Sequence, residues 1–382
     1  MKKSYDLVII GGGAQGLSLA YNLARRGLSN VAVLDKSYPG SGASGRNGEM
    51  IRSAFASEEW IRFFDASLRI WETLSWELDF NLMFNRRGYL VLASTPEELE
   101  ICRSGLELQK SFGLNTKRLD AHDVRKLIPA LNPEMADGGV LQPDAGFARH
   151  DALVWAYGRA ARRLGVDIFS FTEVTEIGLE NGKVRYVVTT EGRIETPVVV
   201  NAAGGHAAKI AQMAGVRLPS DTYRLEMMVT EPIKPFLTPA LASLNIRGYM
   251  HQSTRGEFSG GTDVETMEPS NSLKSTLRLT LDMMRKFIHL FPGLTGVRLM
   301  RQWGGLVDMT ADAAPLLGPV PDVDGFILDC GWLYGFVGAP AAGKFMAEYI
   351  LTGHMPLEIA PFGLERFETG KLVPDRSLLV KI

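Results

Sequence analysis

The chain is short of cysteine, histidine and long apolar runs, and each shortage removes a class of answers. Cys102 and Cys330 are the only cysteines and lie far apart. They make no Cys-x-x-Cys metal or redox pair and no disulfide framework, which points to a reducing cytoplasm. Of the six histidines, His122, His206, His289 and His354 read as ordinary surface or packing residues, and no pair has metal-ligand spacing. No apolar run reaches the roughly 18 residues that span a bilayer. The opening "MKK" before an apolar stretch mimics a secretory signal, but Gly11, Gly12, Gly13 and Gln15 interrupt that stretch. The segment is expected to be a strand instead. Formal net charge is −2 with no long basic block, so no nucleic-acid footprint is indicated. Low-complexity linkers and internal repeats are missing too. What remains is 382 residues of ordinary globular composition, 46% apolar and 22% charged, enough for about two domains around a large core.

The most informative segment is "YDLVIIGGGAQGLSLAYNLARRGLSNVAVLDK". Leu7–Ile10 is an apolar run of the kind buried in parallel sheets. Gly11, Gly13 and Gly16 form G-x-G-x-x-G before a helical pattern that Gly27 stops. A second apolar run, Val31–Leu34, ends in Asp35, about 20 residues past the glycines. The chemistry requires this layout. Gly11 permits a tight turn, Gly13 lets backbone approach a pyrophosphate, and Gly16 lets the helix pack on the strand. The helix N-terminus offers free N–H groups to phosphates, and Asp35 can accept from a ribose. The motif signals dinucleotide binding without choosing between NAD and FAD.

Further along, "GSGASGRNGEMIRSAF" at 40–55 is small and polar before it turns apolar. Such a run can lie against a planar ligand or form a surface loop. Residues 58–79 and 96–128 have helical spacing around a strand-like "RRGYLVLAS". The stretch from Asp167 to Gly205 reads as strand, hairpin and strand, with Asn181-Gly182 as the turn. Its last strand runs into Ala202, Ala203, Gly204 and Gly205, where backbone can again approach a ligand. Residues 222–265 alternate in β fashion, 271–291 have a helical pattern, and "GFILDCGWLYGFVGAPAAGKFMAEYILTG" is strand, glycine-rich turn and helix. The fold class expected is α/β, α+β overall. A Rossmann-like domain is assembled from 1–80, 140–220 and 320–382, with a β-rich substrate domain, 81–139 and 221–319, inserted. In "GFARHDA", Arg149, His150 and Asp151 gather where a loop becomes a helix, and Asp151 suits the positive end of the dipole.

Taken together, "IIGGGAQG", "SGRNGEMIRS", "GFARHDALVWAYGRAARRLGVDI", "RQWGGLVDMTADAAPLLGPV", "CGWLYGFVGAP" and "PFGLERFETGKLVPD" resemble the FAD-dependent amine oxidases of the D-amino-acid oxidase and sarcosine oxidase type. Within that group the resemblance is to the β subunit of heterotetrameric sarcosine oxidase and to the β subunits of dye-linked proline, hydroxyproline and opine dehydrogenases. It implies that Gly11, Gly13, Gly16, Asp35 and Lys36 hold the ADP part of FAD. Ala43, Ser44, Gly48 and Met50 would lie along the flavin, Val174 would meet the adenine side, and Gly335, Phe336 and Val337 would face the ring. Arg52 would anchor the substrate carboxylate, a role its planar guanidinium suits. Tyr249 and His251, on an alternating strand, either project into the pocket or lie in the core.

Two positions depart from the family. Val337 stands where the sarcosine oxidase β subunit carries lysine, which favours a bulkier secondary amine than sarcosine and a dehydrogenase over an oxidase. Glu49 replaces a threonine or basic residue; it either faces the ring or pairs with a neighbouring arginine. The resemblance also implies FMN at the junction with an α subunit, in contact with Arg149 and His150 and covalent to His150 in some relatives, with Arg301 in the same site. The expected activity is oxidation of an amine substrate by hydride transfer to FAD, with electrons passed to FMN in a hetero-oligomer. A self-sufficient oxidase making hydrogen peroxide, or a non-catalytic electron-relay or scaffold subunit, are the alternatives.

Overall fold

The computed structural model describes residues 1–262, 268–375 and 377. Residues 263–265 of the β-rich stretch and the last residues of the segment 320–382 lie outside the described residues. Leu7–Ile10 is buried at every position. It forms parallel ladders with Val31–Leu34 on one side and Val199–Asn201 on the other, Val8 facing Ala32 and Val199. Asp167–Phe169 adds to Val31–Leu34, and Val323–Cys330 adds to Val199–Asn201, both in parallel. A doubly buried parallel sheet explains why these strands read as unbroken apolar runs. The hairpin Val174–Glu180 to Lys183–Thr189, the strand Gly192–Glu195 and the strand Leu316–Val320 complete a nine-stranded sheet. Asn181 and Gly182 turn that hairpin with φ of 52° and 74°, the conformation that favours Asn-Gly.

Helices Ala14–Arg25, His150–Arg163 and Gly335–Thr352 pack together in one apolar core, the first of them against both others. Gly343 makes the first-to-last helix contact possible, because a Cβ there would overlap Ser18. On the second core of this sheet, Ala207–Met213 packs against residues from Leu7–Ile10 and its neighbours.

The other sheet has eight strands. Leu299–Thr310 pairs along its whole length with Ser220–Thr230, followed by Phe258–Thr262, Gly248–Gln252, Ala240–Ser243, Tyr89–Ala93, Gly138–Gln142 and Lys117–Asp120. All its pairs are antiparallel except Ala240–Ser243 with Tyr89–Ala93. The helix Leu277–Leu290 buries Thr280, Met283, Phe287 and Leu290, the i, i+3, i+7 face of an amphipathic helix, against this sheet.

Two helical expectations need correction. The pattern over 96–128 is split: Pro96–Ser111 ends before Gly113 at φ 77°, Lys117–Asp120 forms an edge strand, and Asp120 then caps Ala121–Leu127 through the Asp123 amide. The pattern over 271–291 becomes helical only at Leu277, where the Thr276 hydroxyl accepts from the Leu279 amide.

One buried ion pair ties the C-terminal segment to the rest. Arg366 donates through Nε to Asp312 Oδ2 at 2.8 Å and through a terminal nitrogen to Oδ1 at 3.0 Å. It also donates to the carbonyls of Phe362, Gly363 and Ala314. Burial alone would raise the Asp312 carboxyl, but the Arg366 guanidinium outweighs it and holds the group below its ordinary value. A depressed carboxyl contributes stability above the ordinary carboxylate range and loses it as pH falls through the depressed value. Arg366→Met is therefore expected to cost about 3–5 kcal/mol near neutral pH by stranding a buried carboxylate. Denaturant unfolding should show the difference from the unaltered chain shrinking in acid.

Candidate active site

A cavity of about 480 Å³ runs from the Gly11–Gly16 turn to the start of the helix Gly335–Thr352. At one end the glycines act as their spacing requires. Gly11 has φ 116°, and a Cβ there would overlap the Ala202 carbonyl; one at Gly16 would overlap the Gly11 carbonyl. Gly11 and Gly13 border the cavity, whereas Gly16 stands behind it and sets the helix–strand approach. Asp35 borders the cavity while its two oxygens accept from the amides of Gly12 and Ser37, each at 2.8 Å. A carboxylate has about four acceptor sites, so it retains capacity toward a ligand. Ala43 and Ser44 lie on a short 3-10 turn along the cavity, and the Ser44 hydroxyl accepts from the Ala14 amide at 2.8 Å. Val174, Ala203 and Gly204 form the facing wall.

Lys36 also lies at this end, its Nζ 2.9 Å from His206 Nε2. The His206 reading is thereby corrected: it borders the cavity and is not a plain packing residue. Burial and the Lys36 charge lower its pKa, which makes it a neutral acceptor for the ammonium.

The other end is built around Arg52. Its side chain is only 4% exposed, yet it borders the cavity. The guanidinium carbon lies 4.0 Å from the Phe55 ring centre, 4.9 Å from Tyr334 and 5.3 Å from Tyr89. It donates to the Ala54 carbonyl at 3.3 Å and hydrogen-bonds the Tyr334 hydroxyl, and among the described residues no carboxylate pairs with it. A guanidinium has five N–H donors, more than these two partners use. Tyr249 borders the same space, with Gly48 so close to its ring that a Cβ would overlap it. Burial raises the Tyr249 and Tyr89 hydroxyls and pushes Tyr334 up to about 12, so all three are neutral hydroxyls at physiological pH. Gly335, Phe336 and Val337 open the helix Gly335–Thr352 at the cavity wall. The first N–H groups of a helix have no partner within it, and these three residues line the cavity. The turn is held from behind: Gln15 Nε2 donates to the Gly335 carbonyl, and Ser67 and Trp71 donate to that of Val337.

His251 and Glu49 go elsewhere. His251 does not border the cavity; it is buried, stacks on Phe147 with ring centres 4.2 Å apart, and places Nε2 3.3 Å from Glu49 Oε2. Glu49 borders the cavity beside Met50, but its carboxylate turns to three cationic or imidazole partners. Oε1 lies 2.7 Å from His150 Nδ1 and 3.6 Å from Arg149 Nε. Burial pushes the Glu49 carboxyl up, but the two imidazoles outweigh it and hold it well below the usual range. These partners also fix Glu49 at φ 63°, a left-handed conformation that costs about 1–3 kcal/mol in a residue with a side chain. The "ARHD" cluster is therefore more than a helix cap. His150 begins the helix His150–Arg163, and Arg149, partly exposed, reaches Asp151 at 3.4 Å. Arg301 stands exposed on the long strand, opposite Val229 and outside the cavity. Tyr89, Phe55 and Tyr334, which cage Arg52, escaped sequence reasoning because their meeting is a matter of tertiary packing. Asp329 escaped it too, although "FILD" has the same signature of an apolar run ending in an acid as "VAVLD".

Among the described residues no helix is long and apolar enough to cross a membrane. Comparison with known proteins agrees with the geometry. The family model described as FAD dependent oxidoreductase matches residues 6–349. The chain is 36% identical to the sarcosine oxidase subunit beta of Rhodobacter capsulatus, covering 98% of this chain and 91% of that protein. It is also 36% identical to the sarcosine oxidase subunit beta of an Arthrobacter species, with 98% and 94% covered. The crystal structure of L-proline dehydrogenase from P. horikoshii superposes with a TM-score of 0.93 at 30% identity, covering 98% of this chain and all of that one. A two-ended cavity with a dinucleotide turn at one end and an unpaired buried arginine at the other is thus found in a chain that belongs to the FAD-dependent oxidoreductase family of the D-amino-acid oxidase type, as an amine oxidoreductase similar to sarcosine oxidase β subunits.

Proposed function

We propose that this chain oxidises a secondary-amine amino acid of the sarcosine, proline, hydroxyproline or opine class and passes the electrons to FMN held with a partner subunit. The observation that carries the reading is Arg52: a buried guanidinium with no acid partner among the described residues, facing a cavity between aromatic rings. Burying an unpaired charge is costly, and an amino-acid carboxylate bound bidentately would repair it. The donor set along the cavity fits FAD: the amides of the helix Ala14–Arg25 and Asp35 suit the ADP part, and the amides of Gly335, Phe336 and Val337 suit the electron-rich side of a flavin ring. When bound, FAD supplies the hydride acceptor. Arg52 fixes the carboxylate, so the substrate's amine and α-carbon lie at a set distance from the helix Gly335–Thr352. The neutral Tyr334 hydroxyl can donate to the substrate without acting as a base, whereas the Tyr249 hydroxyl donates to Met227 Sδ at 2.9 Å and shapes the wall. Hydride loss from the α-carbon would leave the nitrogen lone pair to form C=N, the resulting iminium would release its N–H proton to water, and water would hydrolyse the imine. In this reading 1–80, 140–220 and 320–382 serve FAD, and 81–139 and 221–319 close over the substrate.

Val337, buried and apolar at the cavity wall, supports a dehydrogenase, since no ammonium stands there to stabilise reduced oxygen. Arg149 and His150 support the FMN reading. They lie at the partly exposed start of a 14-residue helix, where an anion is favoured. The Glu49 contact leaves the His150 ring oriented by Nδ1, with Nε2 the atom available to a flavin. The similarity to proteins named as sarcosine oxidase β subunits supports an α subunit as the partner.

Three measurements follow. Arg52→Met should lose about 2–5 kcal/mol of transition-state binding, roughly 30-fold or more in kcat/KM. Anaerobic bleaching by sarcosine, proline, hydroxyprolines and opines should read the loss. An amine without a carboxylate should be unaffected, and equal loss for both would refute carboxylate anchoring. Val337→Lys should speed aerobic reoxidation of the reduced enzyme roughly tenfold, the effect of about 1.4 kcal/mol on a barrier; rapid reoxidation in the unaltered chain would instead make it an oxidase. Acid precipitation of the complex purified with its partners tests the His150 linkage, since flavin found wholly in the supernatant excludes a covalent bond.

A further inference from the structure

A pair of buried acids braces the turn that leads into the helix Gly335–Thr352, and neither has a role in the site described so far. Asp329 lies near the end of Val323–Cys330 in the nucleotide sheet, and Asp308 belongs to Leu299–Thr310 in the other sheet. Both border the cavity, yet they are only 1% and 3% exposed. Their surroundings differ in donors. Asp308 Oδ2 accepts from the Gly331 amide. Asp329 Oδ1 accepts from the Trp332 indole at 2.9 Å, and its buried Oδ2 has no partner among the described residues. Among the described residues no cation acts on either carboxyl.

We propose that Asp329 is a redox-tuning residue: it is held as a neutral acid beside the cavity, and its ionisation lowers the reduction potential of the FAD bound there. The inference rests on the reading that FAD occupies this cavity. Two carboxylates buried close together without a cation do not both ionise. The charge settles on Asp308, where a backbone amide solvates it, and the proton stays on Asp329, whose second oxygen has no donor to meet it. Burial first, and then the Asp308 charge, push Asp329 up to about 7 against the lowering effect of the Trp332 hydrogen bond.

The other titratable groups around it do not compete. The adjacent Cys330 thiol is buried and raised well above its ordinary value. Beyond it Asp312 and Arg366 neutralise each other as an ion pair. Tyr334, at the helix start, is neutral. Leu317, opposite Asp329 in the ladder, carries no charge, nor does Gln15 on the cavity side. When a hydride passes from the amine to FAD, the added negative charge raises the proton affinity of Asp329. Above its own titration point one further proton then enters from water onto its carboxylate. By linkage, each such proton changes the reduction equilibrium by up to tenfold per pH unit.

The test is a spectroelectrochemical titration of the FAD in the purified holoenzyme between about pH 6 and pH 9, a range that brackets the Asp329 value. Asp329→Asn mimics the neutral acid and keeps an acceptor for Trp332. Its curve should coincide with that of the unaltered enzyme at the acid end. Above neutrality the unaltered enzyme should fall to more negative potentials, approaching an additional tenfold per pH unit in the reduction equilibrium. Parallel curves over the whole range, with FAD bound, overturn the proposal. Should Asp329→Asn fail to fold, Asp308→Asn provides the second reading. Removing the neighbouring charge should move the break in the potential to lower pH, and an unmoved break overturns the proposal. A purified holoenzyme that contains no FAD overturns the occupancy reading itself, a result separate from coincident curves on bound flavin.

Discussion

The site depends on one close approach between the first helix of the chain and its last long one. Ala14–Arg25 and Gly335–Thr352 lie side by side because Gly343 leaves room for Ser18. Both helices point their N-termini into one cavity. Each end carries unpaired N–H groups and the positive end of a dipole. The dinucleotide turn and the turn Cys330–Tyr334, remote in sequence, thereby become two walls of a single binding groove. The parallel sheet makes this possible, since Leu7–Ile10 and Val323–Cys330 both flank Val199–Asn201 and end at the same edge. Ligand sites in open parallel sheets form at that carboxyl edge.

Around this groove the protein treats its buried charges in three ways. Arg366 and Asp312 pair through two hydrogen bonds, and neighbouring backbone groups satisfy the rest of both side chains. Glu49 is surrounded by His150, His251 and Arg149, so a strained backbone residue is fixed between the cavity wall and the helix that starts at His150. Arg52 is left without an acid partner among the described residues and is met by aromatic faces and the Ala54 carbonyl. A desolvated charge that the fold itself does not neutralise is a reserve of binding energy for a ligand of opposite sign. Glu49 and Arg52, three positions apart, thus differ in that one buried charge is met by partners within the fold and the other by no acid among the described residues.

Much of the nucleotide end was legible because local chemistry dictates it. Apolar runs too short for a helix, glycines where only glycine fits, and an acid at a strand end need no knowledge of the rest of the chain. Asn181-Gly182 is legible for the same reason: its backbone angles are those few other residues tolerate. Helical spacing misled where tertiary pairing overrode it. Lys117–Asp120 has little burial of its own and becomes a strand because Gly138–Gln142 offers it an edge. His206, read as an ordinary packing residue, sits beside Lys36 at the cavity because the Ala203–His206 turn brings it there. His251 shares a strand face with Tyr249, but only the placing of Phe147 and Glu49 decides that one ring borders the cavity and the other is enclosed.

Residue order alone determined that a dinucleotide turn exists, which strands are buried on both faces, and which residue types are present for an anion, a flavin and a carboxylate. These properties follow from backbone geometry and from periodicity over a few residues. Tertiary structure alone decided which of them meet: that Arg52 finds aromatic rings and no acid, that Glu49 turns away to two histidines, and that Asp308 and Asp329 arrive from different sheets beneath the same turn. The physical reason is that electrostatic character belongs to an environment. A carboxylate or guanidinium takes its charge state and its role from the groups placed within a few ångströms, and those groups come from positions that only the fold brings together.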